Sequence, residues 1–109
     1  MISTGRQYRI VLVTCASIIE ARRIGRSVAA KKLAACANIV RGVESVYRWK
    51  GKVERAQEVL VVMKTTAARL RELEREVKRL HSYDVPEFIV LPVVAGSLEY
   101  LKWVGESVR

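Results

Sequence analysis

Val43-Glu44-Ser45-Val46-Tyr47-Arg48-Trp49-Lys50-Gly51-Lys52-Val53 and, after a short polar gap, Val59-Leu60-Val61-Val62-Met63-Lys64-Thr65 decide the fold of this 109-residue chain. The first run has a period of two, with Val43, Ser45, Tyr47 and Trp49 on one face and Glu44, Val46, Arg48 and Lys50 on the other. That is the signature of a strand. The turn around Lys50-Gly51 closes a hairpin, and the second run is its return arm. Gly42 interrupts the first arm and predicts a bulge that bends it. Measured from Gly51, each arm reaches about a dozen residues, well past the usual ~5–6 for a strand. Such a ribbon overhangs a small sheet and carries Tyr47 and Trp49 near its tip, where they read as interface anchors.

A strand and a helix flank the hairpin on each side. Upstream, Tyr8 to Cys15 is a nearly continuous apolar run rich in branched residues, the pattern of a central strand. Ser17-Ile18-Ile19-Glu20 follows as a capping box opening a helix whose core side is Ala21, Ile24, Val28 and Leu33. Downstream, Leu70, Leu73, Val77 and Leu80 form one apolar helical stripe, with Thr65 or Thr66 as its cap. His81-Ser82-Tyr83-Asp84-Val85-Pro86 ends that helix, since proline forces its predecessor out of helical conformation. Glu87 to Ala95 reads as a last strand, at a sheet edge because Pro92 donates no ladder bond. Gly96 turns the chain into a final helix over residues 97–108.

The order β-α-β-β-α-β-α is that of an α+β, ferredoxin-like sandwich: an antiparallel four-stranded sheet, two helices on one face and an extra C-terminal helix. Residues 8–109 make one domain behind a flexible tail, residues 1–7. The uncovered sheet face is apolar, so burial alone predicts oligomerisation.

The formal charge is +9, from 20 Lys and Arg against 11 Asp and Glu. The cations are scattered and alternate with glutamates at helical spacing, as Glu74 does with Lys78, which describes solvated faces rather than a nucleic-acid site. No apolar run approaches the ~20 residues of a membrane span, and the first seven residues lack a signal peptide's apolar middle. The expected compartment is therefore the cytoplasm, with Cys15 and Cys36 as reduced thiols.

Catalytic signatures are missing: no phosphate-cradling glycine loop, no nucleophile elbow, no paired cysteines. The chain is read as a non-enzyme. Cys15, Cys36, His81, Asp84 and Glu87 are the groups able to hold a metal, and imidazole with thiolate suits soft or borderline ions such as copper. His81 and Glu87 flank one turn. Against that stand plainer roles: His81 as a helix-end histidine, Cys36 as a small core residue, Cys15 as an inert thiol. Tyr83 and Trp103 join Tyr47 and Trp49 as interface candidates, and Lys64, ending the third strand, is either a cleft charge or an ordinary strand-end lysine.

Leu33-Ala34-Ala35-Cys36-Ala37-Asn38-Ile39, Tyr47-Arg48-Trp49-Lys50-Gly51-Lys52-Val53, Met63-Lys64-Thr65, His81-Ser82-Tyr83-Asp84-Val85-Pro86-Glu87 and Tyr100-Leu101-Lys102-Trp103 resemble the CutA divalent-ion tolerance family, in family order. The resemblance implies a ferredoxin-like subunit in a PII-like homotrimer with hairpin ribbons pairing between subunits. It also implies a cytoplasmic protein of copper and divalent-ion tolerance, without enzymatic activity. The family's H-P-Y-x-x-P-E ligand pair falls on His81 and Glu87, with Ser82 in place of the proline. A cysteine of some members falls on Val13, and Cys15 lies two residues on, on the same strand face. A divalent metal, copper first, held weakly by His81, Glu87 and Cys15 is the main expectation. A PII-like signalling trimer, binding a small anion in inter-subunit clefts through Lys64 and arginines, is the other.

Overall fold

The structure, a computed structural model, describes residues 1–109. Its elements are β1 (Ile2–Thr4), β2 (Tyr8–Cys15), α1 (Ile18–Ala30), β3 (Cys36–Trp49), β4 (Lys52–Thr66), a 3-10 turn (Ala67–Arg69), α2 (Leu70–Leu80), β5 (Ile89–Pro92), β6 (Ala95–Ser97) and α3 (Leu98–Ser107). Four strands form an antiparallel sheet in the order β3-β4-β2-β5, with β2 central and β5 at the edge. This is the ferredoxin-like arrangement that the sequence order predicts.

The hairpin is as long as expected, 14 residues in β3 and 15 in β4. Lys50 and Gly51 both have positive φ, 49° and 78°, which is the turn whose twist matches two paired strands. Gly42 (φ 75°) lies where the ladder slips between Val40 and Val43, so it is the predicted bulge. The overhanging ribbon stretches the molecule to 46 × 25 × 23 Å.

Between sheet and helices lies the main core. Val11 and Val13 of β2, Val61 and Met63 of β4, Ile24 and Val28 of α1, and Leu73 and Val77 of α2 are all fully buried. Glu76 on α2 fastens the two helices together by accepting from Ser27, Lys31 (3.0 Å) and Arg79. Arg79 above all, then Ser27, holds its carboxyl far below the ordinary range. The opposite face of the sheet is also apolar. Ile10, Leu12, Leu60 and Val62 are only half-buried there, and Val40, Ile89 and Leu91 are exposed. One end of that face is covered by α3, through Leu101 and Val104 packed on Tyr8.

Two boundaries differ from the sequence reading. Residues 1–7, expected as a tail, contain β1, which pairs with β6 from Ile2↔Ser97 to Thr4↔Ala95. The single strand expected from Glu87 to Ala95 is split in two: Pro92 cannot extend the ladder, and the chain leaves β2 to pair with the N-terminus. At α2 the expected cap is also different. Thr65 is buried and donates to the Leu33 carbonyl (2.7 Å), while Thr66 heads the 3-10 turn without a side-chain cap bond.

Candidate metal centre

The local sequence builds the site from three element ends. Cys15 is the last residue of β2 and fully buried. The helix cap follows at once: Ser17 accepts from the Glu20 amide (3.2 Å), which starts α1. The Glu20 carboxylate then turns back toward the strand end. It accepts from the Ala16 amide (3.3 Å) and from both the amide and the hydroxyl of Ser82. Those last two bonds tie the start of α1 to the segment after α2, and so place His81, the residue capping α2, beside Cys15.

Cys15, Glu20 and His81 each bring one ligand atom to within 4.8 Å of the others. His81 has no exposed side-chain surface. Its Nδ1 accepts from the Tyr83 amide (3.1 Å), which leaves no proton on that nitrogen, and Glu20 Oε1 lies 3.9 Å away. The proton sits on Nε2, which donates to the Thr14 carbonyl at 2.7 Å. Such a carbonyl partner fixes the tautomer and aims the other lone pair, as it does in histidines that bind metal. An ion held at Nδ1 would have to displace the Tyr83 amide. It would also have to displace the Cys15 proton, which is firmly held: burial first, then Glu20 and Glu58, push the thiol up to about 12.

A second carboxylate group stands close by. Glu58 precedes Val59, the register partner of Cys15. Tyr83 donates its hydroxyl to Glu58 at 2.9 Å, and burial together with that bond raises the Tyr83 phenol to about 12. Burial, followed by the Glu58 charge, raises the Glu87 carboxyl. In a chain of net charge +9, Glu20, Glu58 and Glu87 make a local field that favours cations.

Of the residues singled out in the sequence, the structure brings His81 and Cys15 together. Glu87 lies outside that group, with its carboxyl raised by burial and then by the Glu58 charge. Tyr83 belongs to the site, with its ring 4.8 Å from that of His81. The other candidates are elsewhere. Lys64 is half-buried on the open sheet face and donates to Asn38. Tyr47 and Trp49 stand exposed on the ribbon, and Trp103 on α3 lies 5.5 Å from Tyr100. Sequence reasoning missed Glu20 and Glu58 as site groups. Glu20 carried a signal, because a box glutamate that reaches back toward its cap also reaches the strand end before it. Glu58 carried none until the β2–β4 register was known.

A family model described as CutA1 divalent ion tolerance protein matches residues 9–107. The divalent-cation tolerance protein CutA of Thermus thermophilus is 45% identical over 98 residues, 90% of this chain and 95% of its own. A rice relative, Protein CutA 1, chloroplastic (Oryza sativa subsp. japonica), is 46% identical over 100 residues, 92% of this chain and 56% of its own. The solved structure of the divalent cation tolerance protein (Cut A1) from Thermus thermophilus superposes with a TM-score of 0.92 at 43% identity, covering 94% of this chain and 99% of that one. No helix is long and apolar enough to cross a membrane.

Proposed function

The chain belongs to the CutA1 divalent ion tolerance family, and from that premise we propose that it binds a divalent cation, copper foremost, weakly between Cys15, His81 and Glu20. The observation that carries this reading is the convergence of three ligand atoms within 4.8 Å on a histidine whose tautomer is set by the Thr14 carbonyl. Thiolate, imidazole and carboxylate together suit a borderline divalent ion. Glu87 acts with Glu58 as an attracting charge at the rim of the site rather than as a third ligand. Weak binding follows from the same geometry, because the ion must expel a proton from a thiol held near 12 and take Nδ1 from the Tyr83 amide.

The role is one of binding, not catalysis, and the working form is a cytoplasmic homotrimer. The apolar outer face of the sheet and the exposed Tyr47, Trp49 and Val53 of the ribbon support a subunit covered by its own copies. Light scattering should then read about 37 kDa, three times the 12.3 kDa chain. A monomer at micromolar concentration overturns the assembly.

The metal reading is tested by calorimetric titration of copper into the protein and its His81→Ala variant. Heat that disappears in the variant supports the assignment. Heat that survives it unchanged refutes the assignment.

A further inference from the structure

At the opposite end of the subunit a cleft of about 780 Å³ opens between β1, the β1–β2 turn, the head of the 3-10 turn and α3. It falls within the usual size range for small-molecule sites, ~300–1,000 Å³. Four cationic side chains line it, Arg6, Arg69, Lys102 and Arg109, against the single carboxylate side chain of Glu106. Thr66, whose hydroxyl makes no cap bond, adds a free hydroxyl to the same wall.

Arg69 supplies the second observation. One of its terminal nitrogens donates to Glu72 at 3.3 Å. Its Nε is the one buried side-chain nitrogen or oxygen in the molecule that has no hydrogen-bond partner. A buried donor without an acceptor is costly, and native chains rarely carry one except where a ligand, ion or water completes it. Arg69 also lines the cleft, so a guanidinium with an unused N–H stands in its wall among further cations, and that charge matches a phosphate group.

We propose that this cleft binds a compact phosphate-bearing anion, with Arg69 as the central contact and Arg6, Lys102 and Arg109 around it. The site is made within one subunit and shares no residue with the Cys15 group, so it stands or falls independently of the metal reading. It also gives the β1–β6 pairing a role, since β1 and the turn after it supply one wall of the cleft.

The test is calorimetry with inorganic pyrophosphate at moderate salt. The unaltered protein should bind in the micromolar range, and Arg69→Gln should weaken binding at least tenfold. Arg6→Gln, which touches no ion pair of the fold, should weaken it severalfold and guards against an Arg69 variant that folds badly. A control replaces the exposed Arg22 on α1 with glutamine, removing the same single charge from a solvated face, and should leave affinity unchanged. The proposal is overturned by no heat at millimolar pyrophosphate. It is equally overturned by affinity that ignores both Arg69→Gln and Arg6→Gln, or that falls as far in the α1 control as in Arg69→Gln.

Discussion

Replacing Glu20 with alanine probes how the site is assembled. Its carboxylate accepts three hydrogen bonds, one from the Ala16 amide and two from Ser82, with its side chain only 10% exposed. Hydrogen bonds to a charged group contribute about 1.5–3 kcal/mol each. Three on one carboxylate are not additive, and the freed Ser82 hydroxyl can turn to water. The removed charge also stabilised the start of α1 by about 0.3–1 kcal/mol. The expected loss is thus about 2–4 kcal/mol in urea unfolding. Glu20→Gln keeps one acceptor oxygen but turns an amide donor toward donors, so it should lose about half as much. Hydrogen exchange gives the local readout: the Ser82 amide should lose protection in Glu20→Ala while amides of the β2–β4 ladder fall only by the global change. An alanine variant within about 0.5 kcal/mol of the parent, with the Ser82 amide still protected, would refute the claim that Glu20 holds His81 beside Cys15.

Gly25 lies in α1 against β3, yet a Cβ there meets Ala37 at 3.4 Å and Ile39 at 3.6 Å, ordinary contact distances. Gly25→Ala should therefore stabilise the protein by about 0.5–1 kcal/mol in urea unfolding, the gain in helix propensity; a destabilised variant would show that the packing has no room. Leu73 is fully buried in the core between sheet and helices, and Leu73→Ala should cost about 2–5 kcal/mol by the same assay. The Glu76 carboxyl is lowered in the folded chain from its ordinary 4.5. Its contribution is present above that value and is lost as pH falls below it. Thermal scans from about pH 6 to about pH 3 should show a smaller drop in Tm for Glu76→Gln than for the parent, and equal drops would contradict the clamp.

The main sheet was legible because its signals are local. The alternation from Val43 to Trp49, the paired turn residues Lys50 and Gly51, and the bulge at Gly42 follow from backbone sterics that a sequence carries on its face. The β1–β6 pairing was hidden because a three-residue ladder has no period of its own and exists only where another strand offers free amides and carbonyls. The break at Pro92 was half visible: a missing N–H foretells an edge, but not that the chain will cross to the N-terminus. The site was legible to the same degree. Cys15 and His81 sit at element ends, where the topology collects them. Glu87 stays outside that group, because the path of the segment between Ser82 and Phe88 depends on tertiary packing. Glu20 was read correctly as a cap residue, and its second task appears only when Ser82 arrives from 62 residues away.

Cobalt(II) titration followed by ultraviolet absorbance tests the metal assignment most directly, because a thiolate ligand gives a sulfur-to-metal charge-transfer band. The parent should show that band, Glu87→Gln should retain it, and Cys15→Ser should abolish it. A band that survives Cys15→Ser, or none in the parent at saturating cobalt, would contradict the site.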